Sequence, residues 1–368
     1  VLKIVRLIAV AALTAAAVLA AAPASADTVV AAVPLGYQPQ GLAVSPDGSR
    51  VYVATFDTTV GIVVVSTATN AVVGTINLGT EVIDVAVSPD GSRLYTANYA
   101  GNSVSVISTS TEAVLTTISV PGLPTSIAIS ADGLRVYTAN LNDSTLTAID
   151  TTTNTVIGSV AVVADSQSVA VSPDGARAYV VGSSGNAVSV VNTATLSVIA
   201  SVPITSGAYS IAASPDGARL YVGSSSNLVE VIDTSTLTVI ASVPAGNAVR
   251  GIQVSPDSTR VFVANYGPGT IDTLDASTNT VLSTFTPSTT GSVYQLAVSS
   301  DGSVIYGSII GDDTLAVIQR PVAAPPVSGA ALPATGVEAA AGSILAGSLL
   351  LVGAVLVIRR RRIGAATL

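Results

Sequence analysis

Between residues 28 and 320 the chain alternates short apolar runs with polar turns at a steady interval. An apolar run such as Gly41–Val44 enters a turn, Ser45-Pro46-Asp47-Gly48. A second run follows, as in Arg93–Asn98, then a short polar loop and a third, as in Ser103–Ile107. A Thr/Asn-rich turn leads to a fourth, as in Ala113–Val120. Runs of this length, rich in Val, Ile, Thr and Tyr and bounded by turn residues, predict β-strands. The Asp-Gly pair suits a tight hairpin because Gly tolerates positive φ.

The turn phrase recurs. It returns at Ser88-Pro89-Asp90-Gly91, Ser130-Ala131-Asp132-Gly133, Ser172-Pro173-Asp174-Gly175 and Ser214-Pro215-Asp216-Gly217. Two altered copies, Ser255-Pro256-Asp257-Ser258 and Ser299-Ser300-Asp301-Gly302, complete the set. The spacings are 43, 42, 42, 42, 41 and 44 residues. Seven four-stranded units at this period predict an all-β, seven-bladed β-propeller over residues 27–320. The seventh copy stops after its third strand, Thr314–Ile318. Thr28–Leu35 reads as a fourth strand, so it is expected to complete the last blade and close the ring.

The two ends read as addresses. Residues 1–26 begin with Lys3 and Arg6, continue through the uncharged Leu7–Ala22 and finish at Ala24-Ser25-Ala26, the pattern of a signal peptide. Near the other end a Pro/Ala-rich linker, 321–331, precedes Leu332-Pro333-Ala334-Thr335-Gly336. An apolar segment, 337–358, is followed by a basic tail, 359–368, that begins with four arginines. The segment has the length of a bilayer-spanning helix, and the arginines hold its far end in the cytoplasm. This three-part order resembles the LPXTG-type sorting signal of Gram-positive surface proteins. The resemblance implies that sortase cleaves between Thr335 and Gly336 and joins Thr335 to peptidoglycan. The protein is then membrane-bound only before sorting, and is secreted and wall-anchored afterwards. The linker reaches about 35 Å at most, so the propeller is expected to sit close to its attachment point.

Composition narrows the chemistry. The chain contains no His, Cys, Met or Trp. That removes the commonest general base, any Ser-His-Asp triad and imidazole or thiolate metal ligands. Without both ends, 8 basic and 21 acidic residues remain, a net charge near −13 with no Lys. Nucleic acid is thus not an expected partner. A monomer is expected.

Tyr95-Thr96-Ala97-Asn98, Tyr137-Thr138-Ala139-Asn140 and Phe262-Val263-Ala264-Asn265 resemble the YVTN-type β-propeller repeat. That resemblance covers residues 28–320, and the wider relatives include surface-layer proteins and propeller lactonases. It implies the fold more firmly than the function.

Residues repeated in every blade read as scaffold. Arg50, Arg93, Arg135, Arg177, Arg219 and Arg260, with Val304 in the seventh copy, form a ring that could bind anions, but are expected rather to brace their own turns, with the turn Asp as a candidate partner. Tyr52, Tyr95, Tyr137, Tyr179, Tyr221, Phe262 and Tyr306 are expected in the core. Function is expected where the repeat breaks. Loops before the first strand and between the second and third strands share one face. They carry Tyr37, Phe56, Tyr99, Tyr209, Tyr266 and Tyr294. The position five before each turn Ser reads Gln40, Ile83, Thr125, Gln167, Tyr209, Arg250 and Tyr294, and is expected to ring the channel mouth. The aromatics either form a binding surface or plug the mouth and pack between blades.

Asp57, Glu81, Asp84, Asp143, Asp165, Asp312 and Asp313 share that face. Their oxygens are of the kind that bind Ca²⁺, but no calcium-loop motif is present, and neither metal nor cofactor is assigned. Three functions follow. The first is a non-catalytic binding propeller for a glycan, wall or matrix component. The second is a lactonase-like hydrolase working in the channel, with Arg250 steadying an oxyanion. The third is a structural surface-layer or wall component. No catalytic residue is assigned.

Overall fold

The computed structural model describes residues 27–321 apart from Asn247. The signal peptide, the rest of the linker, the sorting motif, the apolar segment and the basic tail lie outside the described residues. Twenty-eight strands, β1 (Thr28–Pro34) to β28 (Thr314–Gln319), form seven four-stranded antiparallel sheets. Six blades take four consecutive strands each, beginning with β2 (Pro39–Val44), β3 (Arg50–Thr55), β4 (Ile62–Ser66) and β5 (Ala71–Ile76). The seventh has the order β1-β28-β27-β26, with β26 (Ser292–Val298) innermost and β27 (Val304–Ile310) beside it. The N-terminal strand thus closes the ring, as its resemblance to the other fourth strands predicts. Among the described residues there is no helix long and apolar enough to cross a membrane.

There is no single central core. Seven apolar clusters each fill the space between two successive blades. In one, Tyr95, Val104 and Val106 of the second blade meet Ile127, Val136 and Ile149 of the third. The last, between blades seven and one, unites Tyr306 and Leu315 with Leu42 and Val51 and includes Val33 of β1. The repeated aromatics are all buried in these seams, as expected of scaffold.

Each turn is held the same way. Ser45 Oγ donates to Asp47 Oδ1 (2.5 Å), and the Ser49 N–H donates to the same carboxylate (3.0 Å). Gly48 sits at φ 71°. Ser258, which replaces that glycine in the sixth copy, adopts the same left-handed conformation at φ 59°. These bonds hold the Asp47, Asp90 and Asp301 carboxyls down at about 2; in turns between third and fourth strands the Ser235 and Ser277 hydroxyls do the same for Asp233 and Asp275.

The repeated arginines do not pair with their turn aspartates. Most reach the neighbouring blade instead. Arg93 Nη1 donates to Thr151 O (2.7 Å), Arg177 Nη1 to Thr234 O (2.9 Å), and Arg50 Nη1 to Glu112 Oε1 (2.7 Å). The turn Asp is already saturated by hydroxyls and backbone N–H groups, so the long guanidinium extends across the seam. Arg260 is the exception and bonds Asp275 of its own blade (2.8 Å). In the seventh blade no turn joins the third strand to the fourth, because β1 comes from the other end of the chain. Arg260 therefore lacks the acceptor that its counterparts use. Arg320 lies nearby, over the Phe262 ring (4.4 Å), and donates to Gly302 O (3.0 Å).

The YVTN-like asparagine is also a brace. Asn98 accepts from Thr96 Oγ1 (2.7 Å) and donates to Ser103 Oγ (3.0 Å) and Ser105 Oγ (2.8 Å), tying two strands together inside the blade. Fully paired buried polar groups of this kind fix register.

Candidate binding site at the channel mouth

The loops predicted to share a face do so through backbone bonds. In six blades the N–H of the first residue after the second strand reaches back to the loop before the first strand. Phe56 bonds Gln38 O (3.0 Å), Tyr99 bonds Glu81 O (3.0 Å) and Tyr266 bonds Ala248 O (3.1 Å).

The innermost strand of every blade carries a register shift. In β6 (Val82–Val87) it falls between Val82 and Asp84, in β10 (Pro124–Ile129) between Pro124 and Ser126, and in β14 (Ser166–Val171) between Ser166 and Ser168. In β18 (Ala208–Ala213) it falls between Ala208 and Ser210, and in β22 (Val249–Val254) between Val249 and Gly251. The residues skipped are Ile83, Thr125, Gln167, Tyr209 and Arg250. These are the positions read from the sequence as the channel ring. A bulge leaves one residue outside the ladder and re-aims its side chain. In the seventh blade the shift spans Tyr294 and Gln295, and in the first it spans Gln40 and Gly41.

Six of the seven ring residues line one cavity: Ile83, Thr125, Gln167, Tyr209, Arg250 and Tyr294. Gln40 does not. It is buried, and Asp84 lies directly against the neighbouring Gly41, where a Cβ would sit 2.3 Å from Asp84 Oδ1. The cavity holds about 30 Å³, room for about two water molecules.

The ring sequence missed a second tier, one residue further along each strand. Asp84, Ser126, Ser168 and Gln295 also line the cavity. The position four before the turn Ser is Gly or Ser in every blade except where it is Asp84 or Gln295, and that contrast was the available signal. Asp84 ties blades together: its carboxylate accepts from the N–H groups of Val85 (2.9 Å) and, in the next blade, Ile127 (3.0 Å). Burial nonetheless pushes its pKa up to about 6, against the pull of these bonds and of the Ser126 hydroxyl.

The aromatics form two contacts across the mouth. Phe56 and Tyr99 are tilted, with centroids 6.0 Å apart, and Tyr266 meets Tyr294 edge-on at 6.2 Å. The Arg250 guanidinium lies 3.9 Å over the Tyr209 ring and 5.9 Å from that of Tyr266, within cation–π reach. Burial raises the Tyr294 pKa; Arg250 lowers it, and Asp84, Tyr266 and Tyr99 raise it further. These five groups therefore share one neighbourhood. Tyr37 lies apart, half-buried against the core between blades seven and one. Gln167 donates to Ser183 Oγ (3.3 Å) beside the ring.

The loop acids do not converge. Asp57 caps the Thr59 N–H (2.7 Å), Asp143 accepts from the Gly122 N–H (3.1 Å), and Asp312 accepts from Thr290 Oγ1 (2.7 Å). No group of three potential metal-binding acids occurs among the described residues.

Comparison with known proteins agrees with this architecture. Residues 25–120 match the model described as Lactonase, 7-bladed beta-propeller, and residues 324–364 match the LPXTG cell wall anchor motif. The chain is a seven-bladed β-propeller with a sortase anchor signal. That signal makes it a secreted protein of the cell wall, processed by sortase and attached covalently. Residues 207–300 of this propeller also match the model of the cytochrome D1 heme domain. A haem does not fit here. Of its usual axial ligands His, Met, Cys and Tyr, the chain has only Tyr, and the channel cavity is far too small for a porphyrin. Among solved structures, Kuenenia stuttgartiensis hydrazine synthase is similar at 20% identity and a TM-score of 0.71, covering 78% of this chain and 96% of that one. At that identity the likeness concerns the fold alone. No curated protein sequence matches the chain.

Proposed function

We propose that this wall-anchored propeller is a non-catalytic binding protein that holds a glycan, wall or matrix component at its channel mouth. The observation that carries this reading is the cluster of Tyr209, Arg250, Tyr266 and Tyr294, neighboured by Phe56 and Tyr99. These side chains come from five blades and gather where the repeat is least regular. Aromatic faces with few rotors supply contact area at low entropic cost and stack on sugar rings or other flat groups. The narrow cavity beneath directs binding to the mouth rather than the interior.

The test is a thermal-shift screen of the sorted chain, residues 27–335, against wall fragments and glycans. A ligand specific for the folded state at ~100 times its Kd adds about 2.7 kcal/mol. Stabilisation by a wall fragment or glycan supports the reading; no shift across the panel counts against it. A hydrolytic reading rests on Asp84, whose raised pKa suits acid–base work. It has little room for a ring substrate beside that carboxyl, and turnover of a lactone panel is the result that would revive it.

The outer strands favour one further reading, a structural wall component. All seven carry no charged residue, and each exposes an apolar residue at its own register shift, among them Val30, Val73, Leu115 and Ile199. Edge strands are normally guarded by charge. Concentration-dependent assembly of the sorted chain in sedimentation supports this reading, and a strict monomer removes it.

A further inference from the structure

Arg250 differs from every repeated arginine. Those of the turn face each donate to a carbonyl, amide or carboxylate: Arg93 and Arg177 to backbone oxygens, Arg219 to Asn279 Oδ1 (3.3 Å), Arg260 to Asp275. Among the described residues Arg250 donates to none, and the two ion pairs present do not include it. Its Nε has no access to solvent and no hydrogen-bond partner. Arg320 shares an unpartnered Nε but spends Nη1 on Gly302 O. A charged group with an unmet buried donor is costly to keep, and a scaffold role would have provided an acceptor. What holds Arg250 in place instead is the Tyr209 face beneath its guanidinium and the bulge that projects it. Gln295 Nε2 donates to the Arg250 carbonyl (3.2 Å), which steadies the backbone and leaves the side chain free.

We propose that Arg250 is the receptor for a single oxyanion head group, a carboxylate or a phosphate, carried by the ligand that the aromatic mouth binds. This inference rests on the binding reading above. The fork of a guanidinium matches either group with two parallel bonds. The cavity volume of about 30 Å³ accommodates one such head and excludes a larger body, which remains at the mouth. The Ser168 and Tyr209 hydroxyls and the Gln167 amide line the same space. The single carboxyl among the lining residues, Asp84, is engaged by the N–H groups of Val85 and Ile127. With burial raising its pKa to about 6, its charge opposes a second anion above that pH, so anion binding is expected to strengthen as pH falls to 6.

The experiment titrates the sorted chain, residues 27–335, with sodium acetate and separately with inorganic phosphate at constant ionic strength. The chain has no Trp, so its intrinsic fluorescence comes from its 11 tyrosines, and the part that a Tyr209→Phe variant loses reports the ring against Arg250. A saturable change is expected, and the stronger of the two anions identifies the head group. Arg250→Gln is expected to weaken binding at least about tenfold, with an unchanged melting curve. Arg250→Met keeps the apolar stem over Tyr209 and is read the same way should the first variant fold poorly. No saturation with either anion, or wild-type affinity in the neutral variant that folds, overturns the proposal. Attachment to purified wall is scored separately. Arg250-dependent anion binding without attachment upholds the anion site and removes the wall-binding reading. Attachment indifferent to Arg250 and to free anion overturns the anion site and leaves that reading standing.

Discussion

The two faces of the propeller are built from the same repeat and treat it oppositely. On the turn face, equivalent positions carry equivalent residues: Ser45, Ser88 and Ser130 bond their aspartates alike, and the arginines cross the seams alike. At the channel, the seven equivalent positions carry Gln40, Ile83, Thr125, Gln167, Tyr209, Arg250 and Tyr294, with only Gln and Tyr occurring twice. A seven-fold scaffold needs one solution seven times. A ligand without seven-fold symmetry needs different groups at different angles. Identity around the ring is what stability asks for, and variety is what the proposed recognition asks for.

The largest expected effect compares two glycines. Gly41→Ala, at the channel bulge, brings a Cβ within 2.8 Å of the Asp84 Cα and 2.9 Å of Ile83 O, backbone that cannot swing aside. A loss of about 3 kcal/mol is expected on denaturation. Gly48→Ala, at the turn, meets nothing within 4 Å and bears only the positive-φ cost, about 1 kcal/mol. Equal losses would mean that the channel is looser than described.

Next, Arg93→Ala removes a bond between blades and is expected to cost about 1–3 kcal/mol in denaturant melts while leaving ligand binding intact. A binding defect without a stability defect would blur the division between the faces.

The pH dependence separates the faces again. The Asp84 pKa is raised in the folded state, from 3.8 to about 6, so its contribution is fully present below pH 3.8 and is lost as pH rises through 6. The turn aspartates shift the other way, Asp47 and Asp90 to about 2, so theirs is present above pH 3.8 and is lost as pH falls toward 2. Stability is expected to peak between about pH 4 and 6. Asp84→Asn, measured by melting from pH 2 to 8, should flatten the alkaline decline and leave the acid limb unchanged. The smallest effect is at Ser258, where Gly relieves positive φ but loses the bond from the Asp216 N–H (3.1 Å). A net change under about 1 kcal/mol is expected.

Much of this was legible in the sequence. Seven turn phrases at a near-constant period fix blade number, and the short seventh copy points to closure by Thr28–Pro34. The strand Arg93–Asn98 has the bounds that its apolar pattern suggests. The ring positions followed from counting back from each turn Ser. What did not follow was why they face the channel, since a bulge is a mismatch between two strands and leaves no mark in one. Asp84 was visible only as a loop acid, because its bond to Ile127 spans a seam that no local pattern encodes. The arginine partners were misassigned for the same reason: the acceptor, Thr151 O for Arg93, lies 58 residues away in the next blade.

The central claim is that the varied channel mouth, and not the repeated face, binds the ligand. The direct measurement is attachment of the sorted chain to purified cell wall, comparing wild type with a Phe56→Ala, Tyr99→Ala, Tyr209→Ala, Tyr266→Ala variant, each with its melting curve. The account predicts that attachment is lost while the melting temperature stays within a few degrees of wild type. Full attachment by a folded variant would contradict it and move the site elsewhere on the propeller.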